Sequence, residues 1–281
     1  MFQKLTFLAV FFALFSIGCG DNAEKNAEKA ATESDNMAQF AEEKEFKEAH
    51  DTPKKMDYEG AGRMVSFNTP DGGKSTAYLV MKDKEKKKAL FVIHEWWGLN
   101  NHIKQEADRL AAALGDVNVV ALDLYDGNVT DDRDEAGKFM GMVKEDRAKA
   151  IIEGAIAKAG DNAKIGTIGW CFGGGWSLKA SILADDRANA CVMYYGLPVK
   201  TAAELAPLKA PVLGIFAKNE QWINTEVVKE FQALAAATKK DLTVHSFDAD
   251  HAFANPSSKK YVEEAATEAN KLAVEFLKKH L

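Results

Sequence analysis

The chain has 281 residues, of which 47% are hydrophobic and 28% charged, and this composition excludes a wholly disordered or fibrous protein. Its 36 lysines and arginines against 42 acidic residues give a net charge of -6 with no basic block, which argues against a nucleic-acid partner. The three cysteines, Cys19, Cys171 and Cys191, are too few for a disulfide framework.

The N-terminus has the pattern of an export signal. Lys4 precedes an apolar run over residues 5–15, and the small residues Ser16 and Gly18 follow. The run is shorter than the roughly 20 apolar residues that span a bilayer, so a permanent transmembrane helix is the weaker alternative. We therefore predict a signal peptide over residues 1–18 and an exported protein.

Residues 15–19, Phe-Ser-Ile-Gly-Cys, resemble a bacterial lipobox, although Ser16 stands where an apolar residue is usual. A lipidated Cys19 would anchor the protein to a membrane of the bacterial envelope. The alternative is ordinary cleavage, which gives a soluble periplasmic or secreted protein. If Cys19 is lipidated, Cys19→Ala is expected to move the protein into the soluble fraction on cell fractionation, and unchanged membrane partitioning would contradict lipidation.

Residues 19–56 contain mainly Ala, Glu, Lys, Asn, Asp, Thr and Ser, with few large apolar side chains. Such a composition cannot bury enough surface to offset the entropy of ordering it, so we predict a disordered, solvated tether. The alternative is a short exposed helix over residues 37–50, where Glu and Lys are spaced for helical pairing.

Residues 57–281 are predicted to form one domain in which strands and helices alternate. A hairpin opens it around residues 70–73, and the apolar run at 89–93 is typical of a strand buried on both faces of a parallel sheet. Further strands are expected at 117–124, 164–169, 190–195, 212–216 and 242–247, and helices at 103–114, 136–159, after Gly174, at 225–237 and at 262–276. This alternation predicts an α/β fold, a mostly parallel central sheet with helices on both faces, whose ligands lie at the carboxyl ends of the strands.

Residues 169–174, Gly-Trp-Cys-Phe-Gly-Gly, have the pattern of a nucleophile elbow with cysteine as the nucleophile. Gly169 and Gly173 would allow the backbone to approach closely at a tight strand-to-helix turn. At a helix N-terminus, Cys171 is expected to have a pKa below the value of about 8.5 for a free thiol. The alternative is a Gly-rich turn around an inert buried thiol, which is the interpretation we favour for Cys191.

An activated nucleophile needs a base, and in this architecture the base follows the last strand. Among the histidines downstream of the elbow, His251 lies just beyond that strand and is the predicted base. Glu220 follows the strand at 212–216 and is the predicted carboxylate that orients the imidazole, with Asn219, Asp248 or Asp250 as alternatives.

The segment 94–100, His-Glu-Trp-Trp-Gly-Leu-Asn, follows the strand at 89–93. In an elbow hydrolase this loop supplies one oxyanion N–H and the residue after the nucleophile supplies the other, so Trp96 and Phe172 are the predicted backbone donors. Position 98 is Gly98 rather than the second histidine of an H-E-x-x-H motif, and no metal site is predicted. Aromatic side chains near these strand ends are predicted to line an apolar substrate pocket: Trp96, Trp97, Phe172, Trp222 and Phe253. The alternative for each of them is a place in the core.

In combination, the G-x-C-x-G-G elbow, the 94–100 segment and the sequence His-Ala-Phe-Ala at 251–254 resemble the dienelactone hydrolase family of the α/β-hydrolase fold. The resemblance covers residues 57–281 and implies a triad of Cys171, Glu220 and His251, with Glu95 as a carboxylate that contacts the thiol. The family acid is usually Asp, one methylene shorter than Glu220. The dienelactone enzymes also bind a substrate carboxylate through arginines; Asn255 stands at one of these positions, and Arg133 is the candidate for the other.

These features predict hydrolysis of a small ester or lactone with a stabilised leaving group, through a thioester at Cys171 and without a cofactor. The alternative is a membrane-anchored binding protein on a hydrolase scaffold that does not turn over. The oligomeric state is left open.

Overall fold

The computed structural model describes residues 37–82, 84, 85 and 87–281. The predicted signal peptide, Cys19 and the first part of the predicted tether lie outside the described residues. Within the described ranges, no helix is both long enough and apolar enough to cross a bilayer.

The centre of the domain is an eight-stranded sheet with the spatial order β1-β2-β4-β3-β5-β6-β7-β8. The strands β1 and β2 form an antiparallel hairpin, β2 pairs antiparallel with β4, and all further pairs are parallel. The mostly parallel sheet predicted from the sequence is therefore confirmed. The strands are β1 (Arg63–Asn68), β2 (Lys74–Val80), β3 (Lys88–Ile93), β4 (Asn118–Leu122), β5 (Lys164–Trp170), β6 (Ala188–Tyr194), β7 (Val212–Ala217) and β8 (Leu242–Phe247).

Helices flank the sheet, and the stretch predicted as one helix over 136–159 forms two. Asp132 caps the first of these by accepting hydrogen bonds from two backbone N–H groups, and the extended backbone at Val143 and Lys144 separates it from the second. The helices are α1 (Lys44–Ala49), α2 (Asn101–Leu114), α3 (Arg133–Met142), α4 (Glu145–Ala159), α5 (Phe172–Leu183), α6 (Ala202–Leu205), α7 (Thr225–Ala237) and α8 (Glu263–His280), with 3-10 turns at Met37–Phe40 and Asp185–Arg187.

Residues 37–56, which we name the N-terminal segment, pack against the domain, whereas the sequence predicts a solvated tether there. The segment includes the 3-10 turn and α1. Its few apolar side chains point inward: Met37, Ala41 and Phe46 are buried. The composition of the segment gave the wrong prediction because these side chains join the core of the domain, where Phe46 packs against Trp96 and Trp222, so the segment does not need a core of its own.

The sheet brings the predicted catalytic residues to one edge. The neighbouring strands β3 and β5 end just before His94 and Cys171, and the neighbouring strands β7 and β8 end three and four residues before Glu220 and His251. Because these strands are parallel, their carboxyl ends lie at the same edge of the sheet. This is the edge at which α/β proteins bind their ligands.

Candidate active site

The turn from β5 to α5 holds Cys171 in the left-handed region, with φ 55° and ψ -119°. A Cβ on Gly169 would lie 2.1 Å from the carbonyl oxygen of Gly173, and one on Gly173 would lie 2.3 Å from that of Ile93. Both contacts are with backbone, which cannot move aside, so these positions require glycine. The sharp turn and strained nucleophile backbone are the geometry of a nucleophile elbow.

His251 and Glu220 lie beside the elbow. His251 Nδ1 is 2.7 Å from Glu220 Oε1, and both side chains are buried. A ring nitrogen of His251 lies within 4.8 Å of Cys171 Sγ. The fold therefore brings together the three residues predicted as nucleophile, base and orienting acid, in the order thiol, imidazole, carboxylate.

The protonation states of Cys171 and His251 follow from their burial and from the charges around them. Burial raises the pKa of the Cys171 thiol, and the nearby His251 charge and the Phe172 backbone N–H only partly oppose it, so the lowered pKa expected at a helix N-terminus is not found. Burial disfavours the protonated form of His251, but the Glu220 and Cys171 charges outweigh it and raise the pKa of the imidazole well above its ordinary value. Cys171 therefore rests as a thiol in this arrangement.

A second imidazole, which the sequence analysis missed, lies against the nucleophile. His50 Nε2 is 3.6 Å from Cys171 Sγ, and the His50 ring packs on the rings of His251 and Trp96 at centroid distances of 4.9 and 4.4 Å. Cys171 is only 1% exposed beneath it. The sequence does contain a signal for this packing. Phe46 and His50 are four residues apart, which places them on the same face of a helix, and the stretch around them is polar.

Two residues predicted for the substrate pocket, Trp222 and Arg133, contact the N-terminal segment. Trp222 Nε1 donates a hydrogen bond to Glu43 at 2.8 Å, and its ring packs edge-on against Phe46. Arg133 Nε donates to the backbone carbonyl of His50 at 2.6 Å. In this arrangement both side chains therefore contact the segment that covers the thiol.

The other aromatic residues predicted for the pocket are all buried. Trp96 and Trp97 pack on each other with centroids 4.8 Å apart, and Trp96 contacts the N-terminal segment. Phe253 is fully buried against Tyr195 and Phe247, which places it in the core below the site. Phe172 directs its backbone N–H toward the Cys171 sulfur, as an oxyanion donor would need. The Trp96 N–H as the second donor stays a prediction.

Glu95 and Asn255 form a pair next to the triad. Asn255 Nδ2 donates to Glu95 Oε2 at 2.7 Å, so the residue at a position where the family has an arginine binds a carboxylate of the protein. Burial raises the pKa of Glu95 to about 7, and the charge of His251 and the bond from Asn255 only partly offset it. A cavity of about 260 Å³ reaches this pair from outside, but its lining includes neither Cys171 nor His251.

The raised pKa of Glu95 predicts that Glu95→Gln stabilises the protein in alkaline solution. The pKa of Glu95 is about 7 in the folded protein and about 4.5 in the unfolded chain. The protonated carboxyl therefore contributes stability that is fully present below pH 4.5 and is lost as the pH rises through about 7. We expect the gain in unfolding free energy from Glu95→Gln to be about 2 kcal/mol larger at pH 8 than at pH 5. Urea unfolding at both pH values measures it, with the exposed Glu268→Gln as control; equal gains at both pH values would contradict the raised pKa.

The mostly parallel eight-stranded sheet, with the sharp Cys171 turn at the carboxyl edge of its strands, defines the α/β-hydrolase class of fold. More narrowly, the chain belongs to the dienelactone hydrolase family, whose profile matches residues 75–281. Membership of this family supports hydrolysis of lactones or esters.

Relatives of known sequence and structure agree with this assignment. The chain is 30% identical over 233 residues to protein usf of Aquifex pyrophilus, covering 78% of this chain and 99% of that protein. It is 27% identical over 231 residues to the carboxymethylenebutenolidase of a Pseudomonas species, and the match covers 76% of this chain and 94% of that protein. Among solved structures, the dienelactone hydrolase of Anabaena variabilis superposes with a TM-score of 0.58 at 19% identity, covering 82% and 99% of the two chains, and shares the fold.

Proposed function

We propose that the protein hydrolyses small esters or lactones through a thioester formed on Cys171. The observation that carries the proposal is the arrangement of Cys171 on the elbow, within 4.8 Å of a ring nitrogen of His251 whose Nδ1 is 2.7 Å from Glu220. A nucleophile, a base and a group that orients the base are the components that covalent acyl transfer requires.

In the open site the Cys171 thiol loses its proton to solvent, and the His251 imidazolium, which the Glu220 carboxylate stabilises, faces the thiolate. The thiolate attacks the carbonyl carbon, and the backbone N–H groups of Phe172 and Trp96 receive the oxyanion. The tetrahedral intermediate collapses as the His251 imidazolium protonates the leaving oxygen, which leaves a thioester. Water, deprotonated by the same imidazole, then releases the acid and restores the thiolate.

The nucleophile limits the substrate. A thiolate leaves a tetrahedral intermediate more readily than a simple alkoxide or an amine, so forward reaction needs a leaving group that is itself stabilised. Enol esters, aryl esters, thioesters and enol lactones meet this condition, and peptides do not. The name of the Pseudomonas relative, a butenolidase, is in keeping with this class of substrate.

Access to the thiol requires movement of the N-terminal segment. Cys171 is 1% exposed, and His50 of the segment lies against it, with Nε2 3.6 Å from the sulfur. Withdrawal of His50 would expose the sulfur to water, which removes part of the burial that raises its pKa. We infer that the segment is displaced when substrate binds, so that the thiol ionises only in an open site.

The proposal predicts an acyl-enzyme on Cys171. Incubation with p-nitrophenyl acetate is expected to add one acetyl group to the protein, detected by intact mass after acid quenching and located on Cys171 by peptide mapping. Cys171→Ala is expected to lower the hydrolysis rate by on the order of 10³-fold or more, because no other side chain can replace the nucleophile.

Cys191→Ala is the matched control, since this thiol is buried in β6 and lies outside the triad. Undiminished hydrolysis by Cys171→Ala would refute the thiol mechanism. An absence of turnover with aryl esters, enol esters, thioesters and lactones would favour the alternative of a binding protein, for which the covered sulfur is the supporting observation.

The proposed location, a bacterial envelope with a lipid-anchored N-terminus, depends on residues 1–19 and is tested by Cys19→Ala.

A further inference from the structure

Three side chains with metal-binding atoms meet at the covered nucleophile. His50, Cys171 and His251 each offer one such atom, and these atoms lie within 4.8 Å of one another. All three residues are at most 5% exposed. The triad explains two of them, but it gives no role to His50, which comes from the N-terminal segment.

Hydrogen bonds at Nδ1 orient both imidazoles, so that Nε2 of each ring is directed into the cluster. His50 Nδ1 lies 2.7 Å from the carbonyl oxygen of Phe46, which can only accept, so Nδ1 carries the proton and Nε2 faces the Cys171 sulfur. His251 Nδ1 faces Glu220, and its Nε2, although buried, makes no hydrogen bond within the described part of the chain.

The hydrogen bonds of the two imidazoles are like those that support histidine ligands in protein zinc sites. Histidines that bind zinc usually donate the other ring N–H to a carboxylate or a backbone carbonyl, and Glu220 and Phe46 provide one of each. Zinc takes thiolate and imidazole ligands at about 2.3 and 2.0 Å in a tetrahedron, which separates a sulfur from a nitrogen ligand by about 3.5 Å. The sulfur of Cys171 is 3.6 Å from Nε2 of His50.

We propose that His50, Cys171 and His251 bind one Zn²⁺ ion when the N-terminal segment covers the site. On binding, the Cys171 thiol and Nε2 of the His251 imidazolium each release a proton to solvent, and the sulfur becomes the thiolate ligand. The two imidazoles bind through Nε2, and a water molecule fills the fourth position, as in zinc sites with three protein ligands. One thiolate and two neutral imidazoles suit a borderline-soft divalent ion better than Mg²⁺ or Ca²⁺, which prefer oxygen.

Bound zinc would inhibit the hydrolase, and this consequence rests on the proposed function. The ion takes the lone pair of the nucleophile and that of the base, so neither can act on a substrate. It also links the N-terminal segment to the elbow, which adds a metal bond to the contacts that must break before the site opens. The binding itself does not depend on whether the protein is an enzyme.

The test uses the full chain carrying Cys19→Ser, so that Cys171 and the buried Cys191 are the remaining thiols. Titration with Co²⁺ as a spectroscopic probe is expected to give one equivalent of a tetrahedral complex, with strong visible bands and a thiolate-to-cobalt charge-transfer band in the near ultraviolet. Equimolar Zn²⁺ is expected to displace the Co²⁺ and to abolish both bands.

The decisive variant is His50→Phe, which removes the ligand nitrogen but keeps a ring between Phe46, Trp96 and His251. It is expected to bind Co²⁺ and Zn²⁺ at least about 100-fold more weakly, since loss of outer partners alone costs 10- to 100-fold. Cys171→Ser is expected to abolish the charge-transfer band. His102→Phe is the matched control, because His102 also faces a carbonyl of the N-terminal segment but lies outside the cluster, and binding should be unchanged.

A complex without the thiolate band, or equal affinity in His50→Phe and the parent protein, would overturn the proposal. Absence of Zn²⁺ binding at micromolar concentrations would do the same. Hydrolysis measured with a chelator separates this result from the function proposed above: activity without zinc binding refutes only the metal site, and zinc binding without activity refutes only the hydrolase.

Discussion

Replacing Glu220 by glutamine is expected to lower kcat/KM for an activated ester by on the order of 10³- to 10⁴-fold, as loss of the orienting carboxylate does in other triads. Glu220 Oε1 accepts from His251 Nδ1 at 2.7 Å and also from the backbone N–H of Ile223 at 3.3 Å, and the carboxylate is fully buried. Glutamine keeps the size but removes the charge that raises the pKa of His251. The imidazolium that faces the attacking thiolate then lacks its partner.

The measurement is steady-state hydrolysis of p-nitrophenyl acetate at several pH values. Glu220→Asp, which restores the family's usual acid, is expected to keep more activity than Glu220→Gln because the charge remains. Asp248→Asn is the matched control: its carboxylate accepts a hydrogen bond from Asn219 at the surface and does not touch His251. A Glu220→Gln enzyme within tenfold of the parent would assign the orienting role to another group.

The sequence was sufficient to predict those parts of the site that are positioned by strands and helices. The apolar run at 89–93 and the glycine spacing around Cys171 each have a single plausible structural meaning, and the carboxyl ends of parallel strands must share one edge. His251 and Glu220 were identified because they follow strands. Their distance of 2.7 Å could not be predicted, since it depends on the loops that follow β7 and β8.

The largest missed feature is the packing of the N-terminal segment. A composition rule assumes that a segment must bury its own side chains against one another, but Phe46 and Met37 pack into a pocket of the domain. The covered thiol and the anchoring roles of Arg133 and Trp222 follow from that packing. Pairing between residues more than 80 positions apart, such as Arg133 with His50, leaves no trace in a local pattern.

Weakening the N-terminal segment is expected to expose the nucleophile. Phe46 is fully buried, and its ring lies 5.1 Å from Trp222, 5.5 Å from Trp96 and 4.4 Å from His50. Truncation of a buried phenylalanine to alanine costs about 3 kcal/mol or more, and here the loss falls on the contact between the segment and the domain. The open population, and with it the rate at which iodoacetamide alkylates Cys171, is expected to rise by on the order of 100-fold.

The experiment is done on the chain with Cys19→Ser, and peptide mapping follows Cys171 and Cys191 separately. Cys191 is buried in β6, so its alkylation reports unfolding of the whole domain. Phe231→Ala on α7 removes a phenylalanine of similar burial away from the segment, and it should raise both rates together if it raises either. Selective exposure of Cys171 in Phe46→Ala would identify the segment as the cover of the active site, whereas an unchanged rate would mean that reagents reach the sulfur by another route.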